Sequence, residues 1–212
     1  MKNSFYYLKK ALTFIPEGSQ TKSKMACRFP DNYPKFISHG SGSHIWDVDG
    51  NEYVDWVMGL GPVILGYADP MVNSAVREQM KYGNIFPLPS PKETELAELL
   101  SIHVPCAEMS RFARNGTDAT MGAVRLARAI TGNKIVLYCG YHGGADWYAH
   151  EIVPNAGTVT QPVFRFEYNN IESLEREFSK QRGCVACVIM EVPPDYPKEN
   201  YSHIKYSTED YI

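Results

Sequence analysis

Apolar side chains recur every three or four residues in several segments, which is the spacing of one face of an α-helix. The segment 70–82 carries this pattern, and residues 92–103 carry it again with leucines. An apolar-rich stretch at 5–14 predicts a further helix, which ends at the Pro-Glu-Gly sequence of residues 16–18. We therefore expect amphipathic helices at these three places.

A different pattern, strict alternation of apolar and polar residues, occupies residues 43–57. Asp49, Gly50 and Asn51 interrupt it with residues that favour a tight turn, so the segment predicts an antiparallel hairpin. The polar, proline-containing stretch that runs to Pro34 predicts an extended arm ahead of this hairpin.

The clearest helical pattern follows Asn115-Gly116-Thr117, and Gly132 is placed to end that helix. Its apolar or small positions are Ala119, Gly122, Ala123, Leu126, Ala127 and Ile130. Beyond it the sequence predicts three strands and one helix in alternation: strands at 135–139, 162–166 and 184–190, and a helix at 171–180. Alternation of this kind predicts an α/β layer with a largely parallel sheet.

Composition narrows the functional classes. The chain has 212 residues, of which 44% are apolar and 21% charged, with a formal net charge of −3. This composition favours a folded core and gives no indication of a nucleic-acid partner. No apolar run approaches the roughly 18 residues that a membrane-spanning helix needs, so we expect a soluble, cytoplasmic protein without a membrane partner.

The cysteines and histidines indicate no metal site. Five cysteines are an odd number, which argues against a secreted disulfide framework. Cys184 and Cys187 are spaced as C-x-x-C, but no second pair accompanies them, so we expect core cysteines. The histidines show no spacing typical of metal ligands.

The start of the helix at Asn115 is a candidate phosphate site. Free backbone N–H groups and the positive end of the helix dipole attract anions, and Thr117 adds a hydroxyl. Asn and Thr are also ordinary N-cap residues, so the segment alone leaves both interpretations open. Thr120 lies one turn further along the helix, and we expect loss of its hydroxyl to change cofactor affinity little.

Two further groups are predicted at the carboxyl edge of the sheet, where ligands bind in such folds. Tyr141 and His142 directly follow a buried strand, so an aromatic face could stack on a planar cofactor or simply pack on the sheet. Glu191 ends the last apolar strand, where its carboxylate either accepts hydrogen bonds inside a site or meets water.

Four ordered motifs, at residues 45–55, 61–70, 115–120 and 141–143, together resemble the class III aminotransferases. The branch of glutamate-1-semialdehyde aminomutase and its sugar-aminotransferase relatives is the most similar. The resemblance implies the α/β type I fold of pyridoxal-phosphate-dependent transferases, represented by the N-terminal segment and the first half of the large mixed-sheet domain. It also implies a homodimer with active sites at the subunit interface.

By this resemblance, residues 1–66 form an N-terminal arm with a small antiparallel segment, and residues 67–212 form part of the large α/β domain. Gly116 and Thr117, with Asn115 in place of the more usual serine, would hold the phosphate of pyridoxal 5′-phosphate. Tyr141 would stack on the pyridine ring with His142 beside it.

Glu191 would match the glutamate that follows the central strand of the family, and it is the one candidate catalytic residue. The family has Glu-Pro at this point, whereas residues 191–194 read Glu-Val-Pro-Pro. Leu60 stands where the aminomutase has tryptophan, and residues 142–148 look more like the branch that acts on sugars or polysaccharide-linked substrates.

The lysine that holds the cofactor and the aspartate that pairs with its ring nitrogen come well after the glutamate strand in this family. The chain ends 21 residues after Glu191, and Lys198 and Lys205 lack the strand context. We therefore expect the N-terminal half of an aminotransferase or aminomutase for a small amino or carbonyl substrate, without its catalytic lysine. The alternative is a non-catalytic α/β remnant that binds a phosphorylated metabolite or another protein.

Overall fold

In the computed structural model, residues 2–152, 157, 159 and 161–191 are described. They belong to two compact units, residues 1–94 and 95–212, and the boundary in the sequence falls within a helix. The sequence predicted a domain boundary after residue 66. The two compact units do not test that boundary, which stays a prediction.

The first unit begins with helix α1 (Lys2–Phe14) and three short 3-10 turns between residues 16 and 28. A three-stranded antiparallel sheet follows, in the order β1-β2-β3: β1 (Ile37–Ser41), β2 (His44–Asp47) and β3 (Glu52–Val54). The hairpin of β2 and β3 was predicted, whereas β1 was not. Helix α2 (Pro70–Met80) comes next, and the side chain of Asp69 caps it by accepting the N–H groups of Met71 and Val72.

Asp47 organises the turn between β2 and β3. Its Oδ1 accepts the N–H groups of Asp49 and Asn51, both at 2.9 Å. Its Oδ2 accepts the Asn51 side-chain amide at 2.8 Å and the Tyr53 hydroxyl at 3.0 Å. Burial alone would raise the pKa of Asp47, but these hydrogen bonds outweigh burial and lower the pKa to about 2. The hairpin is therefore built around an ionised carboxylate.

The second unit is an alternation of helices and parallel strands. Its elements, in chain order, are α3 (Pro91–His103), which begins in the first unit, α4 (Gly116–Thr131), β4 (Ile135–Cys139), α5 (Asp146–Ile152), β5 (Val163–Arg165), α6 (Ile171–Lys180) and β6 (Val185–Met190). The three strands are parallel in the order β5-β4-β6. The predicted strands and helices of this region are confirmed to within one or two residues, and α5 was not predicted.

Strand β4 is buried on both faces, which explains its continuous apolar sequence. One face, with Val136 and Tyr138, packs with Val124 of α4 and with residues of the α5 region. The other face, with Leu137 and Cys139, packs with Phe166 and Leu174, the latter on α6. The sheet is therefore the middle layer between helices, and β4 is its central strand.

The cysteine pair before and within β6 is less buried than we predicted. Cys184 is exposed because it precedes the strand, in a turn where its N–H bonds to the carbonyl of Gln181. Cys187 is half-buried within β6, and burial raises its pKa. The expectation of two core cysteines is therefore wrong for Cys184.

Candidate cofactor site

The predicted site residues of the second unit lie on three neighbouring segments. Asn115, Gly116 and Thr117 begin α4, Tyr141 and His142 follow the central strand β4, and Glu191 follows β6. Because β4 and β6 are adjacent and parallel, the segments after them leave the sheet at the same edge. We call residues 140–144 the edge loop.

Helix α4 begins with donors that its own cap does not use. Asn115 Oδ1 accepts the N–H of Asp118 at 2.9 Å, and the Asn115 carbonyl accepts that of Ala119 at 3.2 Å. Among the described residues, the N–H groups of Gly116 and Thr117 have no acceptor. The N-cap interpretation is therefore confirmed for Asn115. The phosphate interpretation stays a prediction, for which two backbone donors remain.

Space next to these donors is open. A Cβ added to Gly116 would meet nothing within 4 Å. The Thr117 hydroxyl oxygen accepts the N–H of Gly144 at 3.3 Å, which leaves the hydroxyl proton free to be donated. The residues present therefore fit a phosphate group: two backbone N–H donors and one hydroxyl donor at the positive end of a sixteen-residue helix.

The aromatic side chains of the edge loop have opposite exposures. The Tyr141 side chain is 64% exposed, whereas His142 is 6% exposed. The Tyr141 ring makes an edge-on contact with Tyr148 and is otherwise exposed enough for a planar ring to stack on it. The Tyr141 backbone N–H donates to Glu191 Oε2 at 3.0 Å, which connects the loop to the end of β6.

The side chain of His142 is buried, although His142 belongs to the edge loop. Its Nε2–H donates to the carbonyl of Cys139 at 2.8 Å, and its ring contacts those of Tyr138 and Tyr148 edge-on. Burial lowers the pKa of His142, although the Cys139 hydrogen bond and the Glu191 carboxylate both act to raise it. The prediction that His142 binds a cofactor stays a prediction, and its present contacts are with the protein.

Glu191 closes the edge loop from the side of β6. Its N–H bonds to the Cys139 carbonyl at 3.0 Å, which extends the β4–β6 pairing by one step. A Cβ added to Gly140, whose φ is +87°, would come within 2.5 Å of Glu191 Cβ. Glycine is required at 140 both for its backbone conformation and for this close approach. The predicted catalytic role of Glu191 stays a prediction; its carboxylate holds the loop.

Three residues at this edge were missed by sequence reasoning. Thr120 Oγ1 lies 3.1 Å from the carbonyl of His142, a contact with the loop that the sequence did not indicate. This contact does not test the expectation that loss of the hydroxyl matters little for cofactor affinity. Gly143, with φ +85°, crosses α4 so closely that a Cβ there would overlap Thr117 Oγ1. The Tyr148 hydroxyl donates to the Gly140 carbonyl at 3.0 Å. The sequence signals were the Thr117/Thr120 pair on one helix face and the Gly143-Gly144 sequence.

Two predictions concern residues that the structure does not describe: Lys198 and Lys205 lie outside the described ranges, as do residues 192–194. Within those ranges, no cluster of His, Cys, Asp or Glu could hold a metal ion, and no helix has both the length and the apolar composition to cross a bilayer.

Comparison with known proteins assigns the fold of the chain to a defined class. The fold is similar to that of FumI from Sphingopyxis sp. MTA144, solved in its PLP internal aldimine form, with a TM-score of 0.82 and 31% identity. The match covers 89% of this chain and 46% of that one. The chain therefore has the type I fold of pyridoxal-phosphate-dependent transferases, as the motifs predicted.

The family follows from the sequence comparison. The family model described as aminotransferase class-III matches residues 28–148, and the chain belongs to this family. It is 38% identical to the glutamate-1-semialdehyde 2,1-aminomutase of Persephonella marina over 84% of this chain and 46% of that protein. It is 41% identical to the enzyme of the same name from Syntrophomonas wolfei, over 86% of this chain and 45% of that protein. The chain thus spans about half the length of the curated relatives it matches.

Proposed function

We propose that the edge of the sheet in the second unit binds pyridoxal 5′-phosphate and serves transfer or migration of an amino group on a small amino or carbonyl compound. Two neighbouring features carry this proposal: the start of α4 has hydrogen-bond donors available to an anion, and the edge loop has an exposed aromatic ring at Tyr141. A hydrogen bond joins the edge loop to α4. Family membership supports the same cofactor.

The phosphate end of the site is assigned to Asn115, Gly116 and Thr117. The N–H groups of Gly116 and Thr117 would donate to the phosphate, and the Thr117 hydroxyl would donate a further hydrogen bond while its oxygen accepts the Gly144 N–H. Asn115 caps α4 through its side-chain oxygen, Oδ1. Its side-chain NH₂ group therefore remains available as an additional donor.

The ring end of the site is assigned to Tyr141, with His142 as its support. Tyr141 would stack on the pyridine ring of the cofactor. The Tyr141 N–H donates to the Glu191 carboxylate, which fixes the main chain of Tyr141. When bound, the cofactor supplies an aldehyde carbon that takes up the amino group and a ring that withdraws electrons from it. The lysine and aspartate that the resemblance implies for this chemistry have no counterpart assigned among the described residues.

The substrate proposal follows the curated relatives, which are named glutamate-1-semialdehyde 2,1-aminomutase. We infer a small amino or carbonyl substrate of that kind for the whole protein; a sugar substrate remains the second candidate, because residues 142–148 look more like the sugar-linked branch. Both assign the described residues the same task, which is to hold the cofactor.

Homodimer formation and a cytoplasmic location are further proposals. They rest on the resemblance and on the composition. Light scattering coupled to size-exclusion chromatography tests the first: a mass of about twice 23.9 kDa supports a dimer, and a monomer contradicts it.

Calorimetric titration with pyridoxamine phosphate and with inorganic phosphate tests the cofactor proposal, because neither ligand needs a lysine. We expect pyridoxamine phosphate to bind more tightly, since only it has a ring for Tyr141. Replacement of Tyr141 by Ala should remove that advantage and leave phosphate binding intact. Equal affinities in the unmodified chain would favour the alternative, a module for phosphorylated metabolites, and no binding of either ligand would contradict both.

A further inference from the structure

The edge loop passes directly over the first turns of α4. Gly143 marks the crossing, because its φ of +85° and its contact with Thr117 exclude any side chain there. On one side of the crossing, the Gly144 N–H donates to Thr117 Oγ1 at 3.3 Å. On the other side, Thr120 Oγ1 donates to the carbonyl of His142 at 3.1 Å. The loop is therefore fastened to the helix at two adjacent points.

The Thr120 bond differs from the ordinary bonds that threonine makes in helices. Its hydroxyl is also 3.2 Å from the carbonyl of Thr117 one turn back, so one proton is shared between a helix carbonyl and a loop carbonyl. His142 is buried, and among the described residues no other donor reaches its carbonyl. Loss of the Thr120 hydroxyl would therefore leave a buried acceptor unpaired.

The fastened carbonyl is one residue from the exposed ring of Tyr141, and the fastening helix carries the anion donors of Gly116 and Thr117. The Thr120 bond thus links the two ends of the proposed site through one short path. Besides the Gly144–Thr117 bond, which also joins the loop to α4, the loop is held by Glu191 of the segment after β6 and by Tyr148 of α5.

We propose that Thr120 is a positioning residue that sets Tyr141 relative to the phosphate donors of α4, so that a ligand can engage both ends at once. This inference rests on the proposed cofactor site and adds a residue to it. Thr120 need not touch the ligand; it acts through the His142 carbonyl.

The test compares Thr120→Val, which has nearly the same shape without the hydroxyl, with Thr120→Ser, which keeps it. We expect Thr120→Val to weaken pyridoxamine phosphate binding about three- to tenfold, which is the usual effect of one hydrogen bond, and to change inorganic phosphate binding less than about twofold. Thr120→Ser should restore the original ratio of the two affinities. A general loss of structure would instead lower both affinities together.

Thr131→Val is the matched control on the same helix. Thr131 also bonds back to a helix carbonyl, that of Ala127 at 2.8 Å, and its oxygen accepts the N–H of Asn133 at 3.2 Å. It lies exposed at the far end of α4, away from the edge loop. Its replacement should leave the ratio of affinities unchanged. A Thr131→Val effect as large as that of Thr120→Val would overturn the inference, and so would a Thr120→Val variant with an unchanged ratio.

Hydrogen–deuterium exchange of the free chain, followed on peptides covering residues 140–145, separates this inference from the proposed function. Thr120→Val should speed exchange there because the loop loses an anchor, whereas Thr131→Val should not. Unchanged exchange overturns the fastening whatever the ligand results are. Faster exchange in a chain that binds no pyridoxamine phosphate supports the fastening and contradicts the cofactor site.

Discussion

Two polar clusters, one in each unit, differ in how completely their hydrogen-bonding groups are used. Asp47 in the first unit is 1% exposed, and both of its carboxylate oxygens accept two hydrogen bonds each. At the start of α4 in the second unit, the N–H groups of Gly116 and Thr117 have no acceptor among the described residues. Complete satisfaction is typical of a structural cluster, whereas the donors at the start of α4 remain available to an anion.

The contrast predicts its largest effect at Asp47. Asp47→Ala should lower the free energy of unfolding by about 2–4 kcal/mol, because it leaves the Asn51 amide and the Tyr53 hydroxyl without their acceptor. Urea denaturation followed by circular dichroism measures this change. Binding of pyridoxamine phosphate to the second unit should remain as in the unmodified chain; a loss of binding with little loss of stability would reverse the roles of the two clusters.

The same carboxylate predicts an acid-sensitive hairpin. Hydrogen bonds lower the pKa of Asp47 from 3.8 to about 2, so the unfolded chain takes up a proton first as the pH falls. The stabilisation is therefore complete above about pH 4 and lost as the pH falls through about 2. Between about pH 4 and pH 2, the free energy of unfolding should change less with pH in Asp47→Ala than in the unmodified chain. The same change with pH in both proteins would contradict the assignment.

Thr117→Ala should give the opposite pattern to Asp47→Ala. Removal of one hydroxyl donor to a charged phosphate amounts to about 1.5–3 kcal/mol, so cofactor affinity should fall by roughly one to two powers of ten. Stability should change little, because the hydroxyl has one long internal bond, to Gly144. Titration calorimetry measures the affinity, and Thr117→Ser is the control that keeps the donor. Equal affinity of Thr117→Ala and the unmodified chain would reduce this segment to a helix cap.

Gly143→Ala should disturb both stability and binding in the second unit. The φ of +85° and the overlap with Thr117 together predict a loss of about 1–3 kcal/mol and a displaced edge loop. Gly144→Ala is the matched control, since a Cβ there meets nothing within 4 Å. The melting temperature and the ligand affinity should both be lower for Gly143→Ala than for Gly144→Ala. Equal values for the two variants would contradict the close crossing of the edge loop over α4.

The smallest effect concerns His142. Because burial holds its pKa below the ordinary 6.5, the unfolded chain binds a proton in a pH range where the folded chain does not. Stability is therefore complete above about pH 6.5 and falls as the pH drops towards the folded value. Melting temperatures between pH 7.5 and 5.5 should decline less for His142→Gln than for the unmodified chain. An identical decline would assign the titration to other groups.

The fold was predictable where its signals are local. Helix α4 begins at the side-chain cap of Asn115 and ends at Gly132, with φ +70°, as the sequence indicated. Strand β1 was missed because residues 37–41 have no apolar alternation. The contacts that join it to β2, such as the stacking of His39 on Trp46, involve residues that are not apolar strand formers on the β1 side. Helix α5 is seven residues long and follows two glycines, so only its buried Trp147 and Tyr148 signal it.

The candidate site was predictable as a set of segments but not as a set of contacts. Parallel topology alone brings the residues after β4 and β6 to one edge, so Tyr141 and Glu191 could be placed there from the sequence. The roles of Thr120 and Gly143 depend on where the edge loop crosses α4, which no local pattern encodes. The burial of His142 likewise depends on the packing of Tyr138 and Tyr148 around it.

The phosphate assignment is tested most directly by an amide chemical-shift titration of the isotopically labelled chain with pyridoxamine phosphate. We expect the N–H resonances of Gly116 and Thr117 to move most, because these donors gain a phosphate acceptor. Those of Asp118 and Ala119, already bonded to Asn115, should move less. Saturable binding that leaves the Gly116 and Thr117 resonances in place, or shifts centred on another part of the chain, would contradict the assignment.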